Sequence, residues 1–253
     1  MNSSNVVDTK FVHFGDKIEN DVFRTFQNNK KFWSKIEEGE LIRILNVFAW
    51  CVIEDEQVDF KVGSKISISP YVQGMNVLVA PLAYVCRSEP QAFALLYRLL
   101  MVEMPRYITP TLAGVMDGVR LVDLVLKTVD RRLYEYLDQS MANAKIYALP
   151  SVLTLCACTP PLEEVLKLWD FLFSFGIHMN VVLIVAQLLL IRGELMNTKN
   201  PMVLLRNFPQ LESSKIIKLS LSIARNIPDS LYDLIVRHTF DESVTLEIDD
   251  YKI

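Results

Sequence analysis

The sequence predicts an all-α protein built as a single multi-helix domain, and three observations carry that prediction. Apolar residues make up 51% of the 253-residue chain against 22% charged, more core-forming side chain than an average soluble domain carries. Successive stretches repeat apolar residues at i, i+3, i+4 and i+7, the spacing of one helix face. Helix-start signals with proline in the first turn recur, and no stretch rich in Pro, Gly or Ser divides the chain in two.

In chain order, residues 1–17 show no helical period and are expected to form an extended N-terminal lead-in. From Gly39, the series Leu41, Ile44, Leu45, Phe48, Ala49 and Val52 predicts an amphipathic helix ending at the acidic run Glu54-Asp55-Glu56. Residues 57–68 are expected to be a loop. Ser69-Pro70 reads as N-cap and first helical position, which puts Gln73 in a helix's first turn, with a kink expected at Pro81. Ser88-Glu89-Pro90-Gln91 is a capping box opening a helix to Met104. Further helices are expected from Thr111 to Val129, from Arg131 to Leu137 and, after Thr159-Pro160-Pro161, from Leu162 to Phe175. Gly176 then stands where a left-handed C-terminal residue is expected. The last predicted helices are Met179 to Arg192, Pro201 to Asn207, Ser213 to Asn226 and Pro228 to Arg237. Residues 18–240 thus form the helical domain, and 241–253 read as an acidic tail without a helical period.

Composition also excludes functions. A net charge of -4 with no basic stripe argues against a nucleic-acid surface. The longest apolar run, Val181 to Ile191, is too short for a membrane span, which needs about 20 residues, and reads as a helix buried on all sides. Cys51, Cys86, Cys156 and Cys158 lack the spacing of a disulfide or zinc framework and are expected to be buried thiols in a reducing compartment. The amino-terminal residues lack an apolar h-region, so no signal peptide is expected. His178 and His238 have no second ligand at usable spacing, so no metal site is expected.

One polar stretch stands apart, Ser69 to Val77. Within it Gln73 offers an amide that both donates and accepts hydrogen bonds, and Gly74 lets another backbone approach. Tyr71-Val72-Gln73-Gly74-Met75-Asn76 resembles the YxQGMN motif of the TBC family, GTPase-activating proteins for Rab-like small GTPases. Ile18-Glu19-Asn20-Asp21-Val22-Phe23-Arg24 resembles that family's upstream IxxDxxR. Either motif alone is a weak signal; both in order, about fifty residues apart in a helical chain, are a strong one.

The resemblance covers about Lys17 to His238, and it implies a TBC fold and two catalytic side chains. Arg24 matches the arginine finger and Gln73 the glutamine finger. Asp21, Tyr71, Gly74 and Asn76 are supporting residues. Trp169 and Asp170 are similar to a later Trp-Asp helix, with Trp169 expected in the core and Asp170 bonding backbone across helices. The implied activity is acceleration of GTP hydrolysis by a Rab- or Ras-like partner. The chain would bring no cofactor of its own and act on the GTP and Mg bound to that partner. Residues 20–26, 71–81 and 147–161 look most like the fungal subgroup that restrains mitotic exit and septation. That likeness implies a scaffold subunit completing a two-component activator, with cytoplasmic localisation and recruitment to the spindle pole. The rival readings are a non-catalytic adaptor that binds GTPase or scaffold, and a helical scaffold with no GTPase link.

Overall fold

A computed structural model describes residues 4–54 and 66–252, with side chains from Phe14 onward. Among the described residues every regular element is helical. The contacts fall into two compact units, Met1–Thr111 and Leu112–Ile253.

The first unit holds α1 (Ser4–Phe23), α2 (Lys30–Trp33), α3 (Glu38–Glu54), α4 (Met75–Val85) and α5 (Glu89–Arg98). A π-helical turn, Leu99–Glu103, and a 3-10 turn, Pro105–Ile108, follow. α3 is its centre and packs against α1, α4 and α5. The apolar face expected of α3 is the face that is buried, with Leu41, Ile44, Leu45, Phe48 and Ala49 all inside. Ile18 and Val22 of α1 are fully buried. Phe32 of α2 meets Phe26 and Trp33 edge-on, at 5.3 and 4.8 Å, and stacks on Tyr84 at 5.9 Å.

The second unit holds α6 (Ala113–Val129), α7 (Arg131–Gln139), α8 (Ala144–Tyr147), α9 (Leu149–Leu153) and α10 (Leu162–Phe175). After these come α11 (Asn180–Leu190), α12 (Arg192–Asn197), α13 (Pro201–Leu205), α14 (Ser213–Asn226), α15 (Asp229–Arg237) and α16 (Val244–Asp250). α11 is apolar all round and buried from Asn180 to Leu188, packed against α6, α9 and α14. Its two polar groups are satisfied. Asn180 donates to the carbonyls of Ser151 and Val152, and Gln187 donates to the Cys156 sulfur and the Leu183 carbonyl. Trp169 is buried, with its indole N–H donating to the Leu155 carbonyl at 2.9 Å. Glu164 on α10 caps α14 from outside by accepting from the Ser213 amide and hydroxyl at 2.7 and 2.6 Å.

Several expectations are corrected. Residues 1–17 are not an extended lead-in, since α1 begins at Ser4. Val7, Phe11, Phe14, Ile18 and Val22 recur at three- and four-residue steps that Gly15 and Asp16 disguise. The 241–253 tail contains α16, because Val244 and Ile248 are both buried one turn apart. Arg237 holds its start, pairing with Asp241 at 2.8 Å and Glu247 at 2.5 Å. α4 starts at Met75 rather than Pro70 and runs through Pro81 to Val85, so the proline is accommodated inside the helix. The helix expected to reach Met104 stays α-helical only to Arg98 before the π turn. Only Cys156 of the four thiols is buried, and Cys158 is exposed. Gly176 has φ +126° with ψ +141°, an extended glycine conformation rather than the left-handed helical one. Asp170 is exposed, and its side chain makes no hydrogen bond among the described residues. The loop expected at 57–68 lies mostly outside the described residues; 66–68 carry no regular structure. No described helix is long and apolar enough to cross a membrane.

Candidate functional site

α1 ends where its last turn tightens. The Arg24 amide donates to the Asp21 carbonyl at 3.1 Å and the Thr25 amide to the Val22 carbonyl at 2.9 Å. The Thr25 hydroxyl donates to the Asp21 carbonyl at 3.0 Å. Carbonyls at a helix end have no intrahelical partner, and here the turn and a threonine supply them. Gln73 and Gly74 form the turn ahead of α4, not its first turn, and Gly74 has φ +110°. A side chain at that dihedral would be strained, which is why glycine follows Gln73.

Asn76 joins the two segments. It is 6% exposed, and its carboxamide is fully used. Nδ2 donates to the Asp21 carbonyl at 3.0 Å and to the Thr25 hydroxyl at 2.8 Å, while Oδ1 accepts from the Gly74 amide at 3.0 Å. An amide with two N–H groups and one carbonyl is the side chain that can make these three bonds from one position. A second link runs from the Tyr71 hydroxyl, which donates to Asp21 Oδ2 at 2.8 Å. Burial, helped by the neighbouring Asp21 carboxylate, pushes the Tyr71 phenol pKa far up, so it stays a donor.

All six residues singled out in the sequence therefore lie in or beside one network. Asp21, Tyr71, Gly74 and Asn76 are bonded members. Arg24 and Gln73 flank it, each one peptide bond from a member, and both are exposed. Neither makes a side-chain hydrogen bond or ion pair among the described residues, so both are available to a partner. Bond lengths along the path from the Arg24 amide through Asn76 to Gly74 keep the Arg24 and Gln73 α-carbons within roughly 15 Å. Asp21 does not hold the Arg24 guanidinium; its carboxylate takes the Tyr71 hydroxyl instead.

Thr25 is the functional neighbour that sequence reading passes over. It is 1% exposed and shares both Asp21 and Asn76. Its position four residues after Asp21, at a helix end, is the only local signal. Phe23, beside Arg24, is 65% exposed. Elsewhere, His178 Nε2 lies 3.1 Å from the Tyr232 hydroxyl and buried His238 Nδ1 lies 2.6 Å from the Ile235 carbonyl. Among the described residues no group of three His, Cys, Asp or Glu is placed to hold a metal ion.

Comparison with known proteins gives the chain's family and fold. Residues 7–196 match the Rab-GTPase-TBC domain model. The chain is 43% identical to cell division control protein 16 of Schizosaccharomyces pombe, over 92% of this chain and 73% of that protein. It is 42% identical to the mitotic check point protein BUB2 of Saccharomyces cerevisiae, over 90% of this chain and 74% of that one. Among solved structures, the Ypt/Rab-GAP domain of Gyp1p superposes with a TM-score of 0.68 at 20% identity, covering 85% of this chain and 73% of that one.

Proposed function

This chain belongs to the Rab-GTPase-TBC domain family, and from that membership we propose that it is a GTPase-activating protein for a Rab- or Ras-like small GTPase. Arg24 is the arginine finger and Gln73 the glutamine finger in this reading. A small GTPase is slow because charge develops on the phosphate oxygens without enough neutralisation and because its attacking water is poorly held. An arginine supplied by a partner adds about 10³ to 10⁵ in rate. Its planar fork of donors bridges oxygens as a lysine ammonium cannot. A carboxamide accepts a hydrogen bond from the water through its oxygen while its N–H donates to a phosphate oxygen, which fixes the line of attack. The chemistry uses the GTP and Mg that the GTPase carries.

The observation that supports this reading most is the Asn76 bridge. It ties the segment carrying Arg24 to the turn carrying Gln73 and leaves both of those side chains exposed. A binding surface without chemistry has no need for that coupling. The names of the relatives, a cell division control protein and a mitotic check point protein, favour a GTPase of the mitotic-exit or septation pathway. A scaffold subunit that completes a two-component activator, and recruitment to the spindle pole, belong to the same proposal.

The test is single-turnover GTP hydrolysis by the candidate GTPase, with wild type, Arg24→Ala and Gln73→Ala, each with and without the scaffold. Loss of stimulation with retained GTPase binding is expected of both variants. Unchanged stimulation in both would leave an adaptor, which binds the GTPase or scaffold and contributes no chemistry.

A further inference from the structure

The residue before Arg24 is out of keeping with its surroundings. Around the end of α1 the side chains turn inward: Ile18 and Val22 are fully buried, and Thr25 is 1% exposed. Phe26 takes a left-handed backbone, φ +45°, and its ring meets the edge of buried Phe32 at 5.3 Å. That conformation is costly for a bulky residue, so the chain accepts strain where one phenylalanine turns into the unit. Phe23 is left outside. It is 65% exposed, and its ring meets no other aromatic ring among the described residues. An exposed phenylalanine is ordinary in itself, but this one is a single peptide bond from Arg24.

Phe23 and Arg24 are the exposed residues of the segment 22–26, and buried Val22 and Thr25 on either side hold that pair outward. The Thr25 hydroxyl is bonded to the Asp21 carbonyl and the Asn76 carboxamide at 3.0 and 2.8 Å. The Phe23 carbonyl accepts from Gln27 Nε2 at 3.1 Å. The backbone under both side chains is therefore fixed before a partner arrives, which lowers the ordering cost of binding. Consecutive α-carbons are about 3.8 Å apart, so with the Arg24 guanidinium on a phosphate oxygen the Phe23 ring lies within roughly 10 Å of that phosphate. In a small GTPase the segments at that range are the two switches, which the third phosphate and Mg order and hydrolysis releases.

We propose that Phe23 docks on an apolar patch of the partner GTPase's switch segments and makes binding selective for the GTP-loaded form. This rests on the reading of Arg24 as the arginine finger. A guanidinium by itself discriminates poorly, because GDP still presents two phosphates to it. A ring that needs an ordered apolar surface responds to the state of the switches, and that surface exists only while the third phosphate holds them. Once seated, the ring keeps water from the rim of the site and leaves the Arg24 charge in a less screened setting. Phe23 thus supplies affinity while Arg24 and Gln73 supply rate, and the two effects separate when the chain is titrated to saturation.

The test titrates the full chain, with the scaffold subunit present throughout, into the GTP-loaded candidate GTPase under single-turnover conditions. Wild type, Phe23→Ala, Phe23→Leu and Arg24→Ala are compared. Phe23→Ala removes a ring that is 65% exposed and is expected to raise the half-saturating concentration about five- to thirtyfold. Its rate at saturation should stay within about twofold of wild type, which also reports that the variant is folded. Phe23→Leu keeps most of the apolar surface and should stay within about threefold in both quantities. In equilibrium binding, the same five- to thirtyfold loss is expected with GDP and aluminium fluoride, and a loss of less than about twofold with GDP alone. A Phe23→Ala titration that superposes on wild type while Arg24→Ala is inactive overturns the proposal and leaves the finger reading standing. So does an equal loss in both nucleotide states, or a loss of scaffold binding in place of GTPase binding. Full stimulation by Arg24→Ala overturns the finger reading, and this proposal with it.

Discussion

Replacing Asn76 with alanine separates what holds the segments carrying Arg24 and Gln73 from the two proposed finger side chains themselves. The substitution removes three hydrogen bonds at a site 6% exposed, to the Asp21 carbonyl, the Thr25 hydroxyl and the Gly74 amide. The Asp21 carbonyl keeps two donors and the Thr25 hydroxyl keeps its bond to that carbonyl. The Gly74 amide loses its partner. One buried orphan costs about 1–3 kcal/mol, and the lost bonds and small void bring the total to about 2–4 kcal/mol. At roughly 2–4 °C per kcal/mol for a chain of this size, the melting temperature falls by about 5–15 °C. The functional effect is separate. A finger displaced by about 1 Å loses on the order of 10² in rate, so stimulation should fall about a hundredfold at a temperature where Asn76→Ala is fully folded, with GTPase binding retained. Single-turnover hydrolysis beside a thermal melt measures both. A melting loss of this size with stimulation within threefold of wild type would refute the reasoning and leave Asn76 a purely structural bridge.

Gly74→Ala places a side chain at φ +110° and is expected to cost about 1–3 kcal/mol in urea denaturation, with loss of stimulation because Gln73 is its neighbour. Gly15→Ala meets open space inside α1 and should stabilise by about 0.5–1 kcal/mol in the same assay with stimulation unchanged. Asp123 has its pKa raised to about 6 by burial, with Asp138 adding repulsion. Its folded value lies above its unfolded one, so the ionised group opposes folding above about pH 6, and that penalty lifts as pH falls toward 4. Asp123→Asn should therefore raise stability at pH 8 by about 1–2 kcal/mol and flatten this group's share of the pH dependence between about pH 6 and 4, read from denaturant melts.

What could be read from sequence was set by how local the signal is. α10 and α14 begin and end where Pro161, Gly176 and the Ser213 to Asn226 pattern place them, because caps and breakers act within a few residues. α1 and α16 were illegible for a different reason. Their apolar residues are diluted by Gly15 and Asp16 in one and by carboxylates in the other, and α16 needs Arg237 of α15 to gather those charges. Arg24 and Gln73 stood out through motif spacing alone. Their coupling did not, since it depends on a carboxamide and a threonine 51 residues apart meeting in the folded unit. Ser69-Pro70 has the form of a helix start, which on local signals alone places Gln73 in a helix. The positive φ at Gly74 forbids the α-helix from extending back through that residue, and α4 begins after it.

The central claim is that Arg24 and Gln73 act together on one phosphate. A structure of this chain with its GTPase, trapped with GDP and aluminium fluoride as the mimic of the transferring phosphoryl group, tests it directly. The Arg24 guanidinium and the Gln73 carboxamide are both expected within hydrogen-bond distance of the fluoride or its in-line water. A complex in which the GTPase's own glutamine holds that water while Gln73 faces away would contradict it.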